Sequence, residues 1–226
     1  MRNLVGFDTE TTGVQVAADR IVTAALVKRI AGAPPETYTW LIDPGVEIPP
    51  QATAVHGITT EKARAEGRRP AEALEEIAAE LVACLAQGLA VLAFNAAYDL
   101  RILKSELARY ELMSLEDRLG APVGPVIDPL VIDRGVDRYR RGKRKLADLM
   151  AVYGVRDSLN LHDALEDVRQ SIAVFDAIEQ RHQSVKAMES AGLHSWQQAK
   201  HREWARHFND YLASRGRPAD VDPTWP

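Results

Sequence analysis

Apolar positions along the chain fall into short runs and helical stripes that divide it into a small set of elements. Leu4, Val5 and Phe7 read as a short buried strand that ends near Asp8. Residues 20–29 (RIVTAALVKR) are a second run rich in β-formers, and residues 36–42 (ETYTWLI) alternate like a third strand. Gly32, Pro34 and Pro35 make a turn between those two, so the three strands predict an antiparallel meander. Residues 49–60 read as a short irregular or helical piece containing His56-Gly57-Ile58-Thr59. Pro70 then opens a helix to about Gln87, with Ala73, Leu74, Ile77, Leu81 and Leu85 at helical spacing and Gly88 as a stop.

Residues 89–94 (LAVLAF) form a continuous apolar run that fits a fully buried strand. A helix to about Tyr110 follows it directly. Residues 126–128 read as a last short strand, and further helices are expected over 129–136, 146–153 and 162–181. Beyond them, 193–214 reads as an amphipathic helix with Trp204, Phe208, Tyr211 and Leu212 on one stripe, and 218–226 as an irregular tail anchored by Trp225. This order predicts an α/β fold, a mixed five-stranded sheet flanked by helices over residues 1–180, with 181–226 as a C-terminal helical extension and tail. Neither G-x-G-x-x-G nor G-x-x-x-x-G-K-[ST] is present, which argues against a doubly wound nucleotide fold.

Composition narrows the picture only slightly. With 226 residues, 46% hydrophobic and 27% charged, the chain suits one well-packed α/β domain plus an appendage. Its net charge of -4 gives no support to a coat of non-specific basic binding, but leaves room for a local basic groove. Arg138 to Lys145 (RYRRGKRK) is such a candidate: six basic residues in eight, with an aromatic among them. It reads either as a solvated face or as a phosphate-tracking edge, with Arg140 and Arg141 as the residues to test. The single cysteine, Cys84, excludes an intramolecular disulfide and reads as a buried thiol. No signal peptide and no apolar run of membrane-spanning length is seen, so a cytoplasmic location and no membrane partner are expected. His182, His194, His201 and His207 show no metal-ligand spacing.

Candidate chemistry begins with Asp8 and Glu10, two residues apart and so on one face at the strand's end. Paired carboxylates there repel each other and lose hydration unless a cation lies between them. Taken alone, the pair is equally accounted for by a strand-ending Asp8 and a solvated Glu10. Asp99 follows the second buried run in the first turn of a helix, a place that favours acids anyway. His162 and Asp167 lie near the start of a later helix, where a bend brings both toward one cleft.

Together these stretches resemble the metal-dependent DEDD-type 3′-to-5′ exonucleases, in the subgroup with a histidine that includes epsilon-like proofreading subunits and the ribonuclease T group. The resemblance rests on Phe7-Asp8-Thr9-Glu10-Thr11-Thr12-Gly13, on Asn95-Ala96-Ala97-Tyr98-Asp99 and on His162-x-Ala164-x-x-Asp167, in the family's order and over roughly residues 1–180. His56-Gly57-Ile58-Thr59 and Ile127-Asp128 match auxiliary signatures, while Phe94 stands where many relatives have a histidine. What the resemblance implies is a ribonuclease H-like fold, with Asp8, Glu10, Asp99 and Asp167 holding two Mg²⁺, or Mn²⁺ in substitution, and His162 as general base. An unperturbed histidine, with a pKa of about 6.5, is largely neutral and able to take a proton from an attacking water. Thr11, His56, Asn95 and Tyr98, with Arg140 and Arg141, are the expected substrate contacts.

The implied partner is nucleic acid, preferably the 3′ end of a single strand and more readily DNA. The C-terminal helix is a candidate contact for a second copy or for a polymerase or repair protein. A non-hydrolytic nucleic-acid-binding or assembly module on the same fold is the alternative.

Overall fold

The apolar runs pair into one sheet. β1 (Leu4–Thr11), β2 (Ile21–Arg29) and β3 (Glu36–Leu41) form the antiparallel meander, and β4 (Ala90–Leu92) and β5 (Val126–Ile127) extend it in parallel on the far side of β1, in the order β3-β2-β1-β4-β5. The computed structural model describes residues 1–156 and 163–226.

Alternation along β1 assigns its side chains to two cores. Val5 and Phe7 are buried with Leu74, Ile77 and Leu81 of α3 (Pro70–Ala86) and Ile102 and Leu103 of α4 (Ala96–Arg109). Leu4 is buried on the opposite face with Leu92 and with Val168, Ile172 and Phe175 of α8 (Ala164–Arg181). Each of these buried aliphatic or aromatic side chains contributes about 1.5–3 kcal/mol. Gly6 shares the face of Leu4, against α8. A Cβ there would lie 2.5 Å from Val168 Cγ1 and 2.9 Å from Ile172 Cδ1, so only glycine lets α8 approach β1 this closely.

The outer edge of the sheet is closed by side chains. Along the edge of β5, the Val126 amide donates to His194 Nδ1 (3.2 Å), the Asp128 amide donates to Gln197 Oε1 (2.8 Å), and Gln197 Nε2 donates to the Val126 carbonyl (2.9 Å). Both side chains come from α10 (Ser190–Ser214), which packs on β5 and on α6 (Pro129–Val136). A fully buried glutamine thus stands in for a sixth strand and leaves the edge without a free ladder. The tail returns over the domain: Trp225 is buried against the α3/α4 core, Asn209 exchanges two hydrogen bonds with Val221, and Arg101 pairs with Asp222 at 2.7 Å.

α7 (Leu146–Tyr153) lies where the apolar pattern places it. The pattern does not reveal α1 (Pro50–His56) and α2 (Thr60–Glu66) as two separate helices, nor α5 (Leu115–Leu119) and α9 (Gln183–Lys186). At two turns or fewer they show little periodicity, and local caps fix two of them, α2 and α5: Thr59 accepts from the Lys62 amide and Ser114 from the Asp117 amide. α8 starts at Ala164, capped by Asp163, whose carboxylate accepts from the Leu165 amide. Replacing Gly6 with alanine is expected to cost about 1–3 kcal/mol by prising α8 from β1, read as a lower urea midpoint at unchanged slope. An unshifted midpoint would contradict this close-approach role.

Candidate active site

The motif residues gather where β1 ends. Asp8 and Glu10 continue the face of Leu4 and Gly6, and the β1/β2 register shifts between Glu10 and Thr11, so the strand is bent just past the second carboxylate. The loop beyond is braced: the Thr12 amide donates to Arg20 O at 2.9 Å, the Arg20 amide to Thr12 Oγ1 at 3.0 Å, and the Gln15 amide to Asp19 at 2.6 Å. α8, held close by Gly6, delivers Asp167. One carboxylate oxygen from each of Asp8, Glu10 and Asp167 lies within 4.8 Å of the others, and all three residues are half-buried.

Asp99 arrives from the other face. It is buried at the start of α4, and its Oδ1 accepts from the Thr9 amide (3.1 Å) and from Thr9 Oγ1 (2.7 Å), so it is tied to the peptide between Asp8 and Glu10 instead of entering the tight trio. α4 is positioned in turn by Asp128. That buried carboxylate accepts from the amides of Asn95 (3.1 Å), Ala96 (3.0 Å) and Leu130 (2.9 Å), capping α4 and α6 at once. Asn95 takes a left-handed φ of 63° and is exposed, and its side chain makes no cap.

Electrostatically the cluster is poised to capture a cation. Burial and the neighbouring Asp99, Glu10 and Asp167 push Asp8 well above the usual carboxylate range. Burial, then Asp167 and Asp99, raise Glu10 to about 8. Asp99 rises to about 7, mainly through burial, against the opposing hydrogen bonds from Thr9. An oxygen-only donor set of this kind fits Mg²⁺ or Mn²⁺. Asp8, Glu10 and Asp167 are the metal-capable trio among the described residues.

The other expected site residues are placed as follows. His162 lies outside the described residues. Thr11 Oγ1 donates to Gly13 O at 2.7 Å, and the Tyr98 hydroxyl donates to the same carbonyl at 2.6 Å, so the two residues clasp the first motif. His56 lines a groove with Thr23, Lys62, Asp163 and Ala164. Its Nδ1 accepts from the Ile58 amide at 3.1 Å, and burial lowers its pKa, which keeps it neutral. Arg140 differs from the expectation of a phosphate-facing cation: it pairs at 2.9 Å with the fully buried Asp133, which also binds Arg144 and accepts from the Tyr153 hydroxyl. Its neighbour Arg141 is exposed. Of the late histidines, His194 packs on Trp225 and His201 meets the Asp222 carbonyl. Thr9, part of the first motif, and Asp128, part of an auxiliary signature, act as positioning residues, a role the motifs alone do not give them. An Asp before a helix-opening Pro129 is an N-cap pattern, which marks Asp128 in the sequence.

Comparison with known proteins identifies the scaffold. Residues 5–175 match the family described as Exonuclease. The chain belongs to this exonuclease family. It is 38% identical over 109 residues to a DNA polymerase III subunit epsilon-like protein from Rhodobacter capsulatus, a stretch covering 44% of this chain and 14% of that protein. Among solved structures, Exonuclease I from Methylocaldum szegediense superposes with a TM-score of 0.67 at 24% identity, over 82% of this chain and 42% of the other. E. coli Exonuclease I in complex with a dT13 oligonucleotide gives 0.67 at 20% identity, over 82% and 42%. The chain therefore shares their ribonuclease H-like fold while spanning less than half their length. Among the described residues no helix is long and apolar enough to cross a membrane.

The raised carboxylate pKa values predict how the metal-free protein responds to pH. Folded Glu10 and Asp99 keep protons, with pKa values near 8 and 7, that the unfolded chain has already lost. Their stabilising contribution is therefore present in acid and disappears as pH rises through those folded values. Thermal melts in a chelator should show a falling midpoint from about pH 5.5 to 8.5, and added Mg²⁺ should raise it more at the alkaline end. A metal-free midpoint that rises across this range would contradict the assignment.

Proposed function

We propose that this exonuclease-family chain is a metal-dependent 3′-to-5′ exonuclease, hydrolysing phosphodiester bonds at the 3′ end of nucleic acid and preferring single-stranded DNA. The observation that carries the reading is the convergence of Asp8, Glu10 and Asp167 within 4.8 Å at the end of the central strand, in a chain matched to that family over residues 5–175. A single strand is the proposed substrate because an unpaired 3′ end can bring its last phosphodiester to half-buried carboxylates more readily than a duplex terminus can.

Asp8, Glu10 and Asp167 would hold two Mg²⁺, or Mn²⁺, with Asp99 completing the set from the Thr9 side. Bound divalent ions supply activation of the attacking water and charge neutralisation at the departing 3′ oxygen. Asp99 keeps the Thr9 peptide, and so the spacing of Asp8 and Glu10, fixed. His162, just before the Asp163 cap of α8, is the general base that accepts the proton of the attacking water. Tyr98 and Thr11 hold the first-motif loop, and the Tyr98 ring, with Asn95 and His56, is the proposed contact for the terminal nucleotide. Arg141 remains the proposed phosphate contact of the basic run.

The named relatives support this substrate class: the Rhodobacter protein is described as epsilon-like, and E. coli Exonuclease I is solved with oligonucleotides. A polymerase or repair assembly is the corresponding proposed partner, and residues 181–226 are its proposed point of contact.

Incubation of the protein with Mg²⁺ and a 5′-labelled single strand should give a ladder of shortened products. Glu10→Gln should leave the melting curve cooperative and remove nearly all shortening, and His162→Ala should slow it by about 10²- to 10⁴-fold. Binding without shortening by the wild-type chain, or a fully active Glu10→Gln, would contradict the reading.

A further inference from the structure

The basic run at 138–145 and the aromatic stripe of α10, far apart in sequence, meet on one surface. Arg134, Arg138, Tyr139, Trp204, Phe208 and Tyr211 line a groove of about 510 Å³ between the last turn of α6 and α10. The Trp204 and Phe208 rings lie 5.4 Å apart and 13° from parallel, and the Phe208 and Tyr211 rings 6.2 Å apart and 20° from parallel. Guanidinium groups flank the row, Arg134 at 3.9 Å from the Trp204 ring and Arg215 at 5.6 Å from Tyr211. Tyr139 is 85% exposed, Tyr211 51% and Phe208 37%. Holding α10 in place does not call for that exposure, because the helix is anchored by the buried Leu193, Gln197, Ala205 and Leu212.

Charge decides what suits the row. Arg134, Arg138 and Lys200 share the groove with one carboxylate, Glu203, which accepts from Arg138 at 2.9 Å and from Lys200 at 3.2 Å. The lining is therefore net positive, and the adjoining loop adds the exposed Arg141, Lys143 and Lys145. Near-parallel rings flanked by excess cations match a polymer with flat faces and regularly spaced negative charge.

We propose that this groove is a second, non-catalytic track for single-stranded nucleic acid, with bases stacked on Tyr139, Phe208 and Tyr211 and phosphates over Arg138, Lys200, Lys143 and Lys145. The proposal rests on the nuclease reading for its ligand, and it adds that long strands are gripped outside the cleft that a dinucleotide fills.

The test measures binding of a long fluorescent oligothymidylate to the full chain in a chelator, alongside hydrolysis of a thymidine dinucleotide in Mg²⁺. Phe208→Ala combined with Tyr211→Ala should weaken the long strand by at least about tenfold. Dinucleotide hydrolysis should be unchanged, and Phe208→Tyr combined with Tyr211→Phe should bind like the wild type. Equal strand affinity in the alanine variant overturns the track, and so does loss of a wild-type dimer in sedimentation with strand affinity intact, which would make the groove a contact between copies. If the wild type binds the strand through these rings but hydrolyses no dinucleotide, the track stands and the exonuclease reading falls.

Discussion

The crowding of Asp8, Glu10, Asp99 and Asp167 into one poorly hydrated strand end is the constraint around which the rest of the molecule is arranged. Burial is the first cause that raises Asp8, Glu10 and Asp99, and neighbouring carboxylates of the cluster add to it at Asp8 and Glu10, so their charged forms are disfavoured without a cation. A sequence selected for stability alone would separate them. Here the fold spends packing energy on keeping them together, as expected where local inconsistency serves chemistry.

Several unrelated interactions maintain that proximity. Gly6 lets α8 come close enough for Asp167 to face β1. Thr9 anchors Asp99 through its amide and hydroxyl. Asp128 fixes the start of α4, and its own amide is held by Gln197 of α10, while Trp225 lies 3.4 Å from its Oδ2. The C-terminal segment is thus connected to the candidate cleft through a short series of buried hydrogen bonds: Gln197 to Asp128, Asp128 to Asn95 and Ala96, and from there along α4 to Asp99. Deletions after residue 181 would be felt at the carboxylate end of the sheet through these hydrogen bonds.

Much of this architecture was legible in the chain. The five strands follow from apolar runs whose periodicity no helix reproduces, and the long helices from their stripes and glycine stops. The doublet Asp8/Glu10 was ambiguous by itself, because strand-end acids are common, and it gained meaning only with Asp99 and Asp167 in register. What could not be read was whatever depends on long-range contact. The engagement of Arg140 with Asp133 is invisible locally, since a run of six basic residues looks equally solvated everywhere. The division of labour between the trio and the Thr9-bound Asp99 depends on which face of β1 each helix covers. Gln197 as a surrogate strand partner has no sequence signature, being one glutamine in an amphipathic helix.

The central claim is that the clustered carboxylates form a divalent-cation site, and diffraction from crystals grown with Mn²⁺ tests it most directly. The account predicts anomalous density within coordination distance of the Asp8, Glu10 and Asp167 carboxylates, lost in crystals of Asp8→Asn. Saturating Mn²⁺ with no such density at the three carboxylates would contradict it.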